Sequence, residues 1–300
     1  MTEPHSDDPW QWPESTWRPI VEHVRAGRSL SPSTWPGDAD VAVAVSFDSD
    51  HETPALRDGS VTPGVLSGGQ YGARVALPRI DALLARHEVP ASFFVPAVSA
   101  LLYPEQIDAA LAGGHEIAVH GWIHERNTLL SRDDEFDLTL RSIDTLEKLS
   151  GKRPVGIRTP SWDFSPNTLD IIRELGFLYD SSLMADDDPY ELVAAGEPTG
   201  IVELPVEWIR DDAPYFGMAR FAGLRPYTAP GAVLDIWKRE FDGARAEKGV
   251  FQLTMHPSII GHRSRLWILD ELLTYIRSTS NPWFATHEQL ATLVAGKDIS

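Results

Sequence analysis

The chain has no cysteine and too few cations to balance its acids: 26 Lys and Arg stand against 44 Asp and Glu, a formal net charge of −18 over 300 residues. The first absence excludes a disulfide framework and any thiolate metal site, so a bound metal has only imidazoles and carboxylates to use. The second argues against nucleic acid, anionic lipid and polyanionic substrates as partners. Long apolar runs are also missing, and none approaches the ~20 residues of a membrane span. The N-terminal stretch MTEPHSDDPWQWPESTW is acidic and rich in Trp and Pro. It lacks the basic start and apolar core of a secretory signal. A soluble, cytoplasmic protein is the expectation.

What is present divides at about residue 38. Residues 1–38 read as an irregular leader whose Trp10, Trp12, Trp17 and Trp35 are expected to pack over the main domain or a neighbouring subunit. Residues 39–300 read as one domain in which short apolar runs alternate with amphipathic stretches. Strands are expected at 41–47, ASFFVP, EIAV, VGIR, IVELPV, VFQLTM and WFAT, with helices between them. Strand–helix alternation of this kind implies a parallel sheet, and the count suits a regular or distorted (β/α) barrel.

In such barrels the chemistry lies at the C-terminal ends of the strands. The polar residues just past the apolar runs are Asp48 and Asp50, then His120, Arg158 and His256. In VAVAVSFDSDH the two acids are two apart, so on an extended path they share a side and need a positive partner between them. His120 and His124 are four apart, and on a helical turn they share a face. Two neutral imidazoles and one carboxylate suit Zn²⁺ or a related divalent ion with open positions. One acid would then ligate, and the other would accept a proton from water near the ion. His256, after FQLTM, could protonate a leaving amine.

The segments SFDSD, HGWIHE, RTPSW and LTMHP, in this order, resemble the polysaccharide deacetylase superfamily, also called the NodB homology domain or carbohydrate esterase family four. The resemblance runs from about residue 40 to residue 295. It implies a distorted (β/α) barrel of the NodB type and a metal-dependent hydrolase of amide, sometimes ester, groups on non-peptide substrates. By motif, Asp48 would be the general base, Asp50, His120 and His124 the metal ligands, and His256 the general acid. Arg158 would hold the base ionised. The aromatic residue expected after Arg-x-Pro is here Trp162, one position late, after Ser161. The resemblance also calls for an acid partner to His256, for which Asp186, Asp187 and Asp188 compete and Asp187 is preferred. Trp208, Asp211 and Asp212 are candidates for lining the substrate pocket. The cofactor expected is one divalent ion, zinc first, with cobalt, nickel or iron as alternatives.

SGGQYGARVALPRI, YDSSLMADDDPY and VELPVEWIRDDAPYF resemble the branch with cyclic-imide hydrolases, metal-independent allantoinases and a Helicobacter-type peptidoglycan deacetylase. With all three metal ligands retained, the expectation is a metal enzyme acting on a small cyclic imide, ureide or N-acyl compound. Its pocket would be covered by the leader, the 51–70 loop and a homo-oligomeric neighbour in a dimer or tetramer. The alternative is an N-deacetylase of N-acetylglucosamine-containing polysaccharide or peptidoglycan. A non-haem iron oxygenase would share the His₂–carboxylate set but sits on antiparallel barrels. A non-catalytic binding protein would have no use for Asp48, Arg158 and His256.

Overall fold

The computed structural model describes residues 8–217 and 228–297. Its ten strands are β1 (Val24–Ser29), β2 (Val41–Asp48), β3 (Ser92–Val95), β4 (Glu116–Val119), β5 (Gly156–Ile157), β6 (Tyr179–Asp180), β7 (Tyr190–Ala194), β8 (Glu197–Glu203), β9 (Val250–Met255) and β10 (Pro282–Ala285). The alternation within β2 explains how the sheet is layered. Val41, Val43, Val45 and Phe47 face outward into the apolar layer shared with the helices. Ala42 and Ala44 belong to the second apolar cluster, with Phe94 and Tyr179. Successive side chains in a strand point to opposite faces, so VAVAVSFD is large outside and small inside. Small inward residues leave room in the barrel for larger polar groups.

β2 is also the hub of the sheet. It pairs in parallel with β9 along one edge. On its other edge β10 takes residues 41–44 and β3 takes residues 46–48. From β3 the sheet continues in parallel through β4, β5, β6 and β8, then turns antiparallel through β7 to β1. Between β8 and β9 the described residues make one bridge, Asp211 to Thr254. The result is a curled sheet of the distorted-barrel type. The C-terminal ends of β2, β4, β5 and β9 share one rim, which brings together the four chain segments that carry Asp48 and Asp50, His120, Arg158 and His256.

The leader is more regular than its composition suggests. Glu14–Glu22 form a helix (α1), and β1 pairs antiparallel with β7. β1 has no apolar periodicity because it is an exposed edge strand. The β7–β8 hairpin was likewise hidden: Ala195 and Gly196 both take positive φ, the pattern of a two-residue I′ turn, without the usual Asn or Asp. Of the four leader tryptophans, Trp35 is buried. It stacks on Trp283 and donates to the Lys248 carbonyl, beside the N-terminal ends of β10 and β9. Trp35 thus closes the end opposite the catalytic rim and is not part of the expected roof. Trp10 and Trp17 are exposed. Among the described residues no helix is long and apolar enough to cross a membrane.

The 51–70 region contains two short helices, Thr53–Arg57 (α2) and Pro63–Tyr71. The second lies directly on the turn that follows β2. A Cβ on Gly69 would stand 2.2 Å from the His51 carbonyl carbon, so no side chain fits there. Gly69→Ala must push that helix away from the residue next to Asp50. An urea titration should show a loss of about 1–3 kcal/mol, the usual cost of overpacking.

Candidate active site

β2 ends at Asp48, and the chain then turns sharply. The Asp50 carbonyl accepts from Thr53 Oγ1 and Ser99 Oγ, each at 2.7 Å, and His51 takes φ +51°. This turn brings both carboxylates to the same imidazole. His120 Nε2 lies 3.4 Å from Asp50 Oδ1 and 3.7 Å from Asp48 Oδ2. Arg158 separates their roles: its Nη1 donates to Asp48 Oδ1 at 2.6 Å and to Ser46 Oγ at 3.0 Å. Its Nε and Nη2 reach the Ser181 carbonyl and Oγ, both at 3.0 Å, and its face covers the Phe94 ring. Asp48 is thus paired with an arginine, whereas Asp50 faces only imidazoles.

His120 and His124 converge, but not on a helical turn. The segment after β4 is an irregular loop with Gly121 at φ +74° and His124 at φ +61°. Glu125 holds it, its carboxylate accepting from the backbone N–H of Trp122 and Ile123 at 2.8–3.0 Å. A Cβ on Gly121 would meet the Pro160 ring at 2.7 Å. The rings end 5.1 Å apart, and His124 Nε2 is 3.5 Å from Asp50 Oδ2. The four-residue spacing suggested the pair; a helix did not produce it.

Asp50, His120 and His124 fit a divalent ion. Their ligand atoms lie within 4.8 Å of one another. Asp50 Oδ1 is buried without a hydrogen-bond partner, which is costly for a carboxylate unless a cation meets it. Burial alone would push the Asp50 carboxyl up, but His124, His120 and His256 outweigh it and hold the group well below the usual carboxylate range. Burial, with help from His120 and Arg57, pushes His124 down to about 4, so its ring is neutral at physiological pH. His120 Nδ1 faces the Arg158 carbonyl at 2.7 Å, which leaves Nε2 free to ligate.

His256 follows β9 and faces this group from the other side, with Nε2 3.9 Å from Asp50 Oδ2. Its acid partner is Asp212, not Asp187. Asp212 Oδ1 lies 2.7 Å from Nδ1, and its carboxylate also accepts from the His256 backbone N–H at 3.1 Å. Asp187 is 80% exposed and pairs with Arg210 at 3.4 Å. Asp188 instead accepts from the Val250 backbone N–H. Asp212, expected to line the pocket, is fully buried beneath the imidazole. Asp211 adds a second carboxylate, 3.6 Å from Nδ1. Burial works against a charged imidazole, but Asp211, Asp212 and Asp50 outweigh it and raise His256 well above its ordinary value. Burial, reinforced by Asp212, pushes Asp211 up to about 7. VELPVEWIRDD held the signal for this partner: the Asp211–Thr254 bridge carries the end of that segment to the β9 rim.

Trp162, in the segment after β5, and Trp208, in the segment after β8, pack together with ring centroids 3.9 Å apart. Trp162 takes φ +56° after Ser161 at +57°. Two consecutive left-handed residues accommodate the one-residue displacement of this aromatic. Sequence reasoning missed Ser46 and Ser181, which anchor Arg158, and Arg57, whose Nη1 lies 2.9 Å from His124 Nδ1. Serines and a lone arginine carry no spacing signal of their own.

A divalent-ion triad, an ion-paired carboxylate and an Asp-backed imidazole on one barrel rim define a metal-dependent hydrolase. The comparisons with known proteins agree. Residues 69–179 match the family model described as polysaccharide deacetylase. A solved Mycobacterium smegmatis structure assigned to the polysaccharide deacetylases is 34% identical, with a TM-score of 0.84 over 92% of this chain and 99% of that one. The solved allantoinase Puue is 25% identical, with a TM-score of 0.76 over 89% of this chain and 96% of that one. The peptidoglycan deacetylase of Helicobacter pylori is 26% identical over 276 residues, 84% of this chain and 94% of that protein. The chain belongs to the polysaccharide deacetylase (NodB, carbohydrate esterase family four) family, metal-dependent hydrolases of amide bonds other than peptide bonds.

Two outcomes are expected. His120→Ala and Asp50→Asn should lose or weaken Zn²⁺ or Co²⁺ binding in calorimetric titration, while Asp48→Asn keeps the ion because that carboxylate faces Arg158; equal loss in all three would reject the division. Followed by NMR, the His256 ring should titrate above the ordinary imidazole value of about 6.5. A raised value means that the ring holds its proton to higher pH than a free imidazole does, and loses it as pH rises through the raised midpoint. Asp212→Asn should lower that midpoint by about one unit or more, since an opposite charge is removed.

Proposed function

We propose that the chain is a divalent-metal-dependent N-deacetylase acting on N-acetylated amino sugars of the peptidoglycan type. The observation that carries this reading is the Asp50–His120–His124 set facing both Asp48–Arg158 and Asp212–His256, in a chain similar to 94% of the Helicobacter pylori protein named as a peptidoglycan deacetylase. Asp50, His120 and His124 would hold the ion, zinc being the choice for two imidazoles and a carboxylate. When bound, the ion supplies Lewis-acid polarisation.

The remaining steps fall to the protein's own groups. Asp48 takes a proton from the attacking water, and Arg158 keeps its carboxylate oriented and charge-paired. Water oxygen bonds to the acetamide carbon, and the carbon–nitrogen bond breaks. The leaving nitrogen takes a proton from His256 Nε2, and Asp212 keeps the His256 ring oriented with Nδ1–H inward. Acetate and a free amine result. Trp162 and Trp208 offer an apolar face on which a sugar ring can stack.

A second reading, hydrolysis of a small cyclic imide or ureide, is favoured by the similarity to the allantoinase along nearly its whole length. The same attack on a ring carbonyl would open the ring. One assay separates the two. Zinc-loaded protein is given N-acetylglucosamine oligomers in one series, and succinimide, hydantoin, dihydrouracil and allantoin in the other. Acetate and amine release from the oligomers alone is expected, and should fall by about 10²–10⁴-fold in His256→Ala, the usual contribution of a proton-transfer group. Ring opening without acetate release would replace the deacetylase reading with the second.

A further inference from the structure

The two metal-facing imidazoles differ in what holds their outer nitrogens. His120 Nδ1 lies 2.7 Å from the Arg158 carbonyl, an acceptor. Its proton therefore sits on Nδ1, and the Nε2 lone pair is turned toward Asp50. His124 Nδ1 instead lies 2.9 Å from Arg57 Nη1, which also donates to the His124 carbonyl at 3.2 Å and Ser161 Oγ at 3.4 Å. A guanidinium has only donors, so this nitrogen must accept. A neutral ring that accepts on Nδ1 carries its proton on Nε2, the atom 3.5 Å from Asp50 Oδ2. That nitrogen then has no lone pair to offer a cation. Metal-ligating histidines ordinarily donate their outer N–H to a carbonyl, carboxylate or water. The Arg57 contact and an ion on His124 exclude each other, and the two cations also repel.

Arg57 has somewhere to go. It is the last residue of α2, its side chain is 16% exposed, and its Nε lies 3.1 Å from Asp58, an exposed carboxylate pointing to solvent. The same short segment starts at the turn that carries Asp50, so withdrawal of Arg57 needs no rearrangement of the barrel.

We propose that Arg57 competes with the metal for His124, setting the ion affinity of this triad below what its donors alone would give, and that ion entry requires Arg57 to withdraw toward Asp58. The inference rests on the reading that Asp50, His120 and His124 hold the ion.

The test uses the full-length, metal-free protein and Zn²⁺ in competition with a chromophoric chelator. Arg57→Gln removes the obligate donor and offers an amide oxygen to Nδ1–H. It should bind zinc about 10–100-fold more tightly, the range in which outer partners of metal-ligating histidines act. Arg57→Lys, still donor-only, should stay near the wild type. Imidazole ¹⁵N NMR of the metal-free wild type should find the His124 proton on Nε2 and the His120 proton on Nδ1, with zinc moving the His124 proton to Nδ1. Arg57→Gln binding zinc no more tightly than the wild type, or a His124 proton already on Nδ1 without metal, would overturn the inference and leave the metal site standing. Zinc bound by neither protein would overturn the metal site and the inference with it.

Discussion

Much of the structure depends on placing a charged guanidinium inside the barrel. Arg158 is fully buried, and an arginine out of water is tolerable only if its donors are met. Asp48, Ser46 and Ser181 meet them, while Phe94 covers its face. The small residues of β2 make the space: Ala42, Ala44 and Ser46 point inward where larger side chains would exclude the guanidinium. Removing one partner of such a buried pair costs on the order of 3–5 kcal/mol. An exposed pair such as Arg18–Glu14 contributes far less, because water screens it. Arg158 also accepts from His120 through its own carbonyl, so a single residue fixes the orientation of both the proton-accepting carboxylate and a metal-facing imidazole.

The second constraint is backbone shape at the rim. His51, His124, Ser161 and Trp162 all take positive φ, a conformation that costs a non-glycine residue roughly 1–2 kcal/mol. Packing repays that strain locally. Glu125 gathers the backbone N–H groups around His124, Gly69 lets a helix press on His51, and Trp208 packs against Trp162. These positions lie in the segments that carry the chemistry, as expected where side chains must be aimed off a regular strand.

Acidity serves the site in a third way. Two carboxylates behind His256 favour its charged form despite burial, and the imidazoles around Asp50 favour the charged form of that carboxylate. Next to them Asp180 and Glu203 are both fully buried at the ends of β6 and β8. Burial pushes both carboxyls up, Glu203 the further with Asp180 beside it. Through Ser182, whose backbone N–H they share and whose Oγ holds the Thr159 N–H, they brace the turn that follows Arg158. The acids of this chain are therefore not only a solvated surface charge.

The sequence by itself determined the barrel's parallel strands and the types of ligand open to a metal. EIAV and VFQLTM coincide with β4 and β9, because a buried parallel strand must be apolar along its length. Absence of cysteine left only imidazole and carboxylate ligands, and placement after strand ends singled out Asp48, Asp50, His120, Arg158 and His256. Tertiary structure alone decided which acid serves His256. Asp187 and Asp212 look alike in a linear reading, and only the Asp211–Thr254 bridge carries the second to the imidazole while leaving the first in solvent. It also decided that β1 is a strand, since an exposed edge pairs through its backbone and needs no apolar pattern. Arg57 was silent for the same reason. Its partner His124 is 67 residues away, and a contact made by the approach of two rim loops leaves no mark on the spacing of either.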